Sequence, residues 1–562
     1  MAGKQKAKAK QKASRNGAEK QVPEFNRLAK WFSNVADVPL NWGLSSDAEI
    51  GQLTGSCRVS MPAGDAAEER FGEIASGFKR KDIPSVFELL KLLWCLPNGD
   101  EAIRVRLNSW NERFFASGAR GERSAHTLPD ETLFYQLAEI ELPLAWVAVL
   151  PSTVAEQNAR LAVDRMADLV SDVLDSDGIP SATIISVLPQ LLASWTRCSR
   201  MLKKLGCDFD PESSEILEWL VQQMLRWLAP DGSLMLGGTT SQPFSKDFRK
   251  YVLKMSSDPI DKHLAKHCFP PTGRDKLSRR ELPETSSCSA WGEMALLQSY
   301  WKCGLPKVSI DFSQGRNRIE LASQVKLLAG DITPQVSING KPVLNQGHCD
   351  VVCWHQDEDL DYLEIEFQMS GGVVIQRQYI LVRQDQILVV LDVVNSQTAG
   401  RIDYDCCFPL ADGISLLSES ETAEVYLKSG GEIESLVMPL GLAEWTVDRH
   451  EGSLGVQQDH LRLHQSMDGN GLCASLLFDL NRVRSLRPRT WRRLHVVEKL
   501  EQVARDRAVA YRVQLDQQQW LIYRSIGENA NRTFLGENVS QDFYMGRFFR
   551  DGSVEELIQI EQ

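Results

Sequence analysis

The hydrophobic periodicity of the chain changes near Pro270, and this change constrains the fold more than any other feature of the sequence. Before Pro270, apolar residues recur every three or four positions, as at Leu217, Leu220 and Met224, which predicts amphipathic helices. After it, apolar and polar residues alternate, as in the Tyr362–Phe367 run, which predicts β-strands. We therefore predict an α+β multidomain chain: a helical N-terminal half followed by a large antiparallel β-sandwich.

The predicted helices are joined by short loops, which favours antiparallel helical hairpins. Asp210 directly precedes Pro211, a pairing typical of a helix start. We predict a helix from Thr132 to Leu150 that is kinked or split at Pro143. A further helix is predicted from Ser245 to His267.

Turn signals separate the predicted strands of the second half. Asn339-Gly340 lies between two short apolar runs, and both residues tolerate the positive φ angles that a type I′ hairpin needs. Gly371-Gly372 marks a second turn, before a strand predicted over Val373–Val382. On one continuous strand, Cys349, Cys353 and His355 would share a face.

These signals predict four segments. Residues 1–22 form a basic tail, and residues 23–269 form the helical domain. Residues 270–287 are a connector rich in Pro, Ser, Thr, Lys and Arg, and residues 288–562 form the β domain. The tail has two interpretations: a solvated, disordered segment or an electrostatic arm that contacts nucleic acid or another acidic surface.

Composition narrows the class of protein. The net charge of −12 disfavours nucleic acid as the main partner. No apolar run approaches the ~20 residues of a membrane-spanning helix, and no apolar stretch follows the basic tail as it would in a signal peptide. The twelve cysteines are scattered, which favours reduced thiols. We expect a soluble, cytoplasmic protein, and its oligomeric state stays open.

A series of weak motifs in a fixed order resembles the heparinase II/III-like proteins. The resemblance covers roughly residues 80 to 560 and is clearest from 305 to 400. The motifs are Trp227–Ser233, Leu327–Gly330 with Asn339-Gly340, Asp361–Glu366 with Gln376–Tyr379, Ile387–Asp392, and Arg532–Gly536 with Gly546-Arg547.

The resemblance implies both a fold and a chemistry. The fold is an incomplete (α/α) toroid followed by a supersandwich. The chemistry is that of a polysaccharide lyase, which removes the C5 proton of a uronic acid and expels the C4 substituent. Such a reaction needs a group that neutralises the uronate carboxylate, a base and an acid. Tyr and His usually supply the last two in this family, and Asn, Arg or His supplies the first.

The chain departs from this family pattern at three places. Where active members read His-x-His-x-Asp, it reads Lys307-Val-Ser-Ile-Asp311, and where they place a His-Arg pair it has Gln376-Arg377. Glutamine is neither a base nor an acid near neutral pH. After Pro230-Asp-Gly232, where many members place Tyr-His, the chain continues as Ser233–Gly238.

By resemblance and residue chemistry, we predict that Tyr251, His263 and Arg249 are catalytic. The first two are acid/base candidates, and Arg249 would neutralise the substrate carboxylate. The predicted substrate-binding residues are Asp231, Trp227, His267, Gln376 and Arg377. Several of these residues have a structural alternative: Trp227 lies on an apolar stripe, Asp231 in a Pro-Asp-Gly turn, and His263 and His267 near a helix end.

Two functions stay open, with an acidic polysaccharide or oligosaccharide as the expected partner of either. One is β-elimination in a cleft between the two halves. The other is a non-catalytic protein of the same fold that binds a glycan or a protein. Hydrolysis by paired carboxylates, with Asp231 and Glu218 as candidates, is a third idea. No phosphate-binding loop and no paired C-x-x-C motif is present, so neither a cofactor nor a metal is predicted.

Overall fold

The computed structural model describes residues 65–95, 128–150, 153–238, 243–244, 246–268, 282–446 and 451–561, with the isolated positions 105, 107 and 109. The predicted basic tail lies outside these residues. The chain forms two compact units, which are described separately. The first holds the described residues up to Met224 together with Gly237–Lys262. The second holds Leu225–Leu236 and the described residues from His263 onward.

The described residues before the strands are helical. The α-helices are α1 (Asp65–Lys79), α2 (Ile83–Cys95), α3 (Pro129–Tyr135), α4 (Leu142–Val149), α5 (Thr153–Val173), α6 (Leu188–Leu205), α7 (Pro211–Arg226), α8 (Lys246–Val252) and α9 (Pro259–Cys268). Several helices adjacent in sequence pack together, including α1 with α2 and α4 with α5. None of the described helices combines the length and the apolarity needed to cross a bilayer.

Local chemistry sets several helix ends. The Asp210 side chain accepts a hydrogen bond from the Ser213 amide at 2.9 Å, which caps the start of α7 as expected. Within the predicted 132–150 helix, the irregularity precedes Pro143 and is a π-helical turn rather than a break. A π-helical turn, Gln136–Glu141, separates α3 from α4 and ends just before Pro143.

The single helix predicted from Ser245 to His267 is wrong. The chain forms α8 and α9 instead, and residues Leu253–Asp258 between them are not helical. Asp258 accepts a hydrogen bond from the Ile260 amide at 2.8 Å, and Pro259 is the first residue of α9. Because both features start a helix, they outweigh the continuous apolar periodicity.

The interior of the helical unit contains a buried ion pair. Arg197 Nε lies 2.5 Å from Glu141 Oε1, and the two side chains are 3% and 0% exposed. Ser194 donates a further hydrogen bond to Glu141 at 2.6 Å. Glu141 is the last residue of the π-helical turn. The turn therefore places the Glu141 carboxylate in the core, where Arg197 neutralises its charge.

The second unit is built of antiparallel sheets. A five-stranded sheet, here called the first sheet, has its strands in chain order. They are β1 (Ser287–Ser289), β2 (Met294–Gln298), β3 (Lys307–Asp311), β4 (Arg318–Ala322) and β5 (Lys326–Asp331).

The middle sheet has eleven strands. They are β6 (Thr333–Ile338), β7 (Lys341–Val343), β8 (Asn345–Gln356), β9 (Leu360–Met369), β10 (Val373–Val382), β11 (Ile387–Pro409), β12 (Ile414–Ser418), β13 (Val425–Ser429), β14 (Glu432–Pro439), β15 (Gly452–Gln457) and β16 (His460–Asp479). The main order is β12-β13-β14-β16-β11-β10-β9-β8, with β15 paired to β16, β6 to β11 and β7 to β6.

Two further sheets complete the unit. The outer sheet runs in the order β17 (Arg489–Leu494), β20 (Ala508–Leu515), β21 (Gln518–Ser525), β24 (Phe543–Phe548) and β25 (Val554–Ile560). The small sheet runs in the order β19 (Glu501–Gln502), β18 (Val497–Glu498), β22 (Arg532–Phe534) and β23 (Glu537–Val539).

The middle sheet is buried on both faces. One face packs against the first sheet through residues such as Ile365, Val390 and Val308. The other face packs against the outer sheet through residues such as Val389 and Ile522. The described chain is thus a helical N-terminal region followed by a β-sandwich, and the sandwich has three stacked layers.

The local strand predictions agree with this sandwich. Ile338 pairs with Lys341 across Asn339-Gly340, whose φ angles are 51° and 74°, so the predicted two-residue hairpin is confirmed. Strand β10 occupies the predicted range, and Gly371 and Gly372 both have positive φ.

The predicted shared face of the β8 cysteines is wrong. The register of β8 against β9 shifts between Val351 and Cys353. Cys349 therefore packs on the core between the middle and first sheets, whereas Cys353 packs on the opposite core. A bulge inserts one residue and reverses the alternation of side chains.

Candidate functional site

Two of the predicted catalytic residues lie on the short helix α8. Arg249 is partly buried, and burial lowers the pKa of its guanidinium. Tyr251 is a helical residue whose side chain lies outside the described part of the chain. Positions two apart on a helix do not share a face, so a joint role for Arg249 and Tyr251 needs a substrate that reaches more than one side of α8.

His263 and His267 lie one turn apart on α9. Their ring centroids are 4.9 Å apart in an edge-to-face arrangement. His263 Nε2 is buried without a hydrogen-bond partner among the described residues. The backbone oxygen of His267 accepts a hydrogen bond from the Cys303 amide at 3.1 Å, which ties the end of α9 to the β unit.

Asp231 lies at the tip of a tight loop that follows α7. Its carboxylate accepts hydrogen bonds from the Ser233 amide at 2.9 Å and from the Ser233 hydroxyl at 2.7 Å. Leu228 and Leu234 form an isolated antiparallel bridge below the tip. Trp227, at the base of the loop, is only 1% exposed. The loop therefore holds a solvent-exposed carboxylate above a buried indole.

Lys307 fixes this loop to the first sheet. Its ammonium group donates to the backbone oxygens of Arg226 at 2.5 Å and Leu228 at 2.8 Å. These oxygens belong to the last residue of α7 and to the loop that follows, so the lysine acts as a C-terminal helix cap. Burial lowers the pKa of Lys307 to about 8.

The role of Lys307 was missed by sequence reasoning, which noted only that a histidine is missing from the Lys307–Asp311 stretch. The sequence carries no signal for this role, because only the structure shows that every residue of β3, including the lysine, is buried. Next to it, burial raises the pKa of the Cys268 thiol to about 12. A cavity of about 20 Å³ lies between Cys268, Cys303 and Lys307, which is room for about one water molecule.

Gln376 belongs to a polar cluster on the face of the middle sheet that meets the outer sheet. Its amide nitrogen donates to Glu366 at 3.0 Å, and its oxygen accepts from Arg524 at 2.8 Å. Arg524 also donates to Glu364 at 2.8 Å. Gln378 lies opposite Glu364 on the neighbouring strand and is buried. Neither the nitrogen nor the oxygen of its side-chain amide has a hydrogen-bond partner among the described residues.

Arg377 lies on the opposite face and is completely buried. Its guanidinium makes two hydrogen bonds to Asp392, at 2.6 Å and 2.5 Å. The Tyr404 hydroxyl also donates to Asp392, and Arg377 approaches the Cys406 sulfur at 3.6 Å. Desolvation lowers the pKa of Arg377, but the charge of Asp392 has the larger combined effect with its hydrogen bonds, so the pKa of Arg377 is raised. The charge of Arg377 is therefore neutralised inside the core.

The predicted site residues thus occupy different surroundings. Trp227, Asp231, His263, His267, Gln376 and Arg377 belong to the β unit, and Arg249 and Tyr251 belong to the helical unit. Within the β unit, the Asp231 loop and the end of α9 both contact the Cys303 region, since Cys303 approaches the Pro230 oxygen at 3.6 Å. Gln376 and Arg377 instead contact side chains of the middle and outer sheets. Glu218, the partner suggested for Asp231, accepts hydrogen bonds from Ser257.

A helical region followed by a β-sandwich is the architecture of a class of polysaccharide lyases. Solved structures with this fold include heparan sulfate lyase HepC from Pedobacter heparinus, at 12% identity and a TM-score of 0.55, covering 84% of this chain and 81% of that one. A heparinase III matches at 11% identity and a TM-score of 0.59, covering 89% of this chain and 81% of that one. A second heparinase III matches at 9% identity and a TM-score of 0.56, covering 78% and 74%.

At these identities, the likeness shows a shared lyase-type fold. No protein-family profile and no curated protein matches the sequence. The fold expected from the weak motifs is therefore present in its coarse form, as a helical region joined to a β-sandwich.

Proposed function

We propose that this protein acts on an acidic, uronic-acid-containing polysaccharide by β-elimination. The observation that carries the proposal is the fold shared with heparan sulfate lyase over 84% of the chain. Fold alone does not define a reaction, so the chemistry has to be assigned to particular residues. In this proposal the helical region is the incomplete toroid of the family, with domain limits at 23–269 and 288–562.

The proposed reaction needs three roles. Tyr251 and His263 are the acid/base pair, and Arg249 neutralises the uronate carboxylate so that the C5 proton becomes more acidic. For His263, the support is a ring nitrogen without a hydrogen-bond partner among the described residues. For Arg249, the support is a partly buried cation, since a charge is worth more to a substrate carboxylate where water is partly excluded.

The other predicted residues have supporting roles in this proposal. Asp231 is exposed at a loop tip and can accept hydrogen bonds from sugar hydroxyls, while buried Trp227 supports the loop from below. His267 packs against His263 and orients its ring. Gln376 and Arg377 are positioning residues, because their side-chain bonds are made to other residues of the sandwich.

The surroundings of Gln376 favour a second candidate function, binding of the same class of polysaccharide without turnover. Gln376 stands where active family members place a histidine, and both polar atoms of its amide are hydrogen-bonded internally. A neutral amide cannot exchange the proton that an elimination moves. In this alternative the fold is retained as a binding scaffold.

One experiment separates the two candidates. The full chain is mixed with a panel of uronic-acid polymers, and the unsaturated product is followed by its ultraviolet absorbance. We expect product formation that falls by roughly 100-fold or more in Tyr251→Phe, the usual size of an acid/base contribution. Tyr300→Phe, at a tyrosine that is 45% exposed in the β unit, is the matched control.

The outcomes differ clearly. Full activity in Tyr251→Phe removes the assignment of that residue. Binding measured by titration calorimetry without product on any polymer selects the second candidate. A chain that neither binds nor cleaves any polymer of the panel contradicts both.

A further inference from the structure

A groove runs along the free edge of the outer sheet, and none of the predicted site residues lines it. Its cavity measures about 490 Å³, within the size range of sites for small ligands. Strand β17 is the edge strand and forms one side. The side chains that give the groove its chemistry are Trp445, Arg492, Arg493, His495, Gln502 and Arg505.

The backbone around Trp445 is held in place on two sides. Towards β17, the Trp491 indole donates to the Leu442 oxygen at 3.1 Å, and the Thr490 hydroxyl donates to Glu444 at 2.7 Å. On the other side, Trp445 forms an isolated bridge with Thr422. The Trp445 side chain is nevertheless 56% exposed. The backbone at Trp445 is therefore held, and its exposed indole presents a flat apolar surface to a ligand.

The groove contains more positive than negative charge. Three arginines line it, at 492, 493 and 505, and Glu444 is the carboxylate among its lining residues. Arg493 and Arg505 both pair with Glu451 at its border. Burial opposes the charge of Glu451, but the bonds from Arg505 and Arg493 hold its pKa below the usual value.

Arg492 differs from its two neighbours. It is exposed and makes no ion pair or side-chain hydrogen bond with the residues that the structure describes. The guanidinium geometry matches a carboxylate, to which it can donate two parallel hydrogen bonds. Arg492 therefore supplies a charge that the described fold does not neutralise, within the same cavity as an exposed indole.

On the far side of Trp445 lies a second cavity of about 230 Å³, whose lining includes Glu419, Glu424 and Glu451. Glu424 is buried against Arg489, whereas Glu419 and Glu451 stay partly exposed beside their arginine partners. The carboxylates of Glu419 and Glu451 can accept hydrogen bonds from hydroxyl groups, and they favour hydroxyls over a second anion. The two cavities share Trp445 and therefore select a ligand that is acidic at one point and hydroxyl-rich at the next. A uniformly charged phosphate chain fits this pattern poorly, because its anions recur at every residue.

We propose that the groove at Trp445 binds one acidic sugar and its neutral neighbour in an oligosaccharide. The sugar ring stacks on the Trp445 indole, its carboxylate is bound by Arg492, and hydroxyls of the next sugar bond to Glu419 and Glu451. This inference rests on the proposed function for the class of ligand, but the groove is a separate binding site on the sandwich.

The test uses the full chain with Tyr251→Phe, so that any turnover is suppressed. The probe is an unsulfated oligosaccharide of defined length, in which a uronic acid alternates with a neutral N-acetylated amino sugar. Affinity is measured by titration calorimetry. Trp445→Ala and Arg492→Ala are each expected to weaken binding by about tenfold, the size expected for loss of one stacking or bidentate contact. The exposed residues Trp291 and Arg550 lie elsewhere in the β unit, and their alanine variants are the matched controls.

Two further measurements make the result specific. Affinity for the parent chain should fall as salt rises, and this dependence should be smaller in Arg492→Ala, because one ion contact has been removed. A carboxyl-reduced form of the same oligosaccharide should bind Arg492→Ala and the parent equally.

The possible failures are distinguishable. If the parent binds the probe and both groove variants bind it as tightly as their controls, this inference is wrong while the proposed function stands. If the parent does not bind the probe or any other uronic-acid oligomer, the groove and the proposed function fail together. Both groove residues are exposed, so loss of folding is not expected, and circular dichroism checks this point.

Discussion

The network around Arg377 and the groove around Trp445 both combine arginines with carboxylates, but they use them differently. Arg377 is 0% exposed, and its two charged hydrogen bonds end on Asp392. Arg492 is exposed in a cavity of about 490 Å³ beside a half-exposed indole. The first arrangement satisfies its charges within the protein, whereas the second leaves charge available to a ligand.

This difference shows that the sequence resemblance to lyases indicates a shared sheet structure rather than a shared reaction. The Gln376-Arg377 pair belongs to one of the several weak motifs behind that resemblance and also departs from the family pattern. In the structure, its side chains join neighbouring strands to each other. A motif whose side chains hold strands together is compatible with the same sheet in an active enzyme and in a protein without that activity. The groove, in contrast, has no matching motif, because its residues come from separate segments near 445, 492 and 505.

The largest effect is expected for the Arg377 network. Asp392→Ala leaves the Arg377 charge buried without its carboxylate, which should lower the free energy of unfolding by about 3–5 kcal/mol. Urea denaturation followed by circular dichroism measures this loss. Arg492→Ala in the groove should change the same quantity by less than about 0.5 kcal/mol.

A triple variant sharpens this comparison. Arg377→Met, Asp392→Leu and Tyr404→Phe remove both charges and the hydroxyl together, so no buried charge is left without its partner. We expect most of the lost stability to return. If the triple variant is as unstable as Asp392→Ala, the ion pair contributes more to the stability of the fold than its desolvation costs.

The next effect concerns the opposite face of the same strand. Gln376→Leu removes one hydrogen bond to Glu366 and one from Arg524, and a loss of about 1–3 kcal/mol is expected. Gln368→Leu is the matched control. Gln368 is also partly buried and also donates one hydrogen bond to Glu366, but it makes no bond to Arg524. Equal losses in the two variants would mean that the bond from Arg524 adds nothing.

The smallest effect is a pH dependence beside Arg377. Burial raises the pKa of the Cys406 thiol to about 12, from an ordinary value of 9.0. Above pH 9 the unfolded chain releases this proton while the folded chain keeps it, so stability falls as pH rises towards 12. Between pH 9 and 10 this thiol should account for about 1 kcal/mol.

The measurement is the slope of unfolding free energy against pH in the parent and in Cys406→Ala. A shallower slope is expected in Cys406→Ala. Cys207→Ala, which removes an exposed thiol, is the control. Identical slopes in all three proteins would show that Cys406 ionises no differently in the folded chain.

Prediction from sequence succeeded where the cause is local. The Asn339-Gly340 hairpin and strand β10 follow from turn chemistry and alternation within a few residues. It failed where one local signal overrides another, as at Pro259, which divides a continuous apolar pattern, and at the bulge that places Cys349 and Cys353 on opposite faces.

Contacts between distant segments were not accessible from the sequence. The cap that Lys307 supplies to α7 joins residues about 80 positions apart, and Trp445 and Arg492 line one cavity although they lie in separate segments of the chain. Neither pairing has a periodicity or a spacing that a single sequence displays. The coarse fold could therefore be predicted, whereas the groove could not.

The cap on Lys307 has a consequence for how the chain can be divided and synthesised. The loop from Leu225 to Leu236 leaves the ribosome before any strand, yet it belongs to the β unit and its carbonyls receive the Lys307 ammonium. A fragment started at residue 288 would carry this buried cation without its acceptors. During translation this segment is made before β3, so its carbonyls can bind Lys307 only after some 80 further residues have been synthesised.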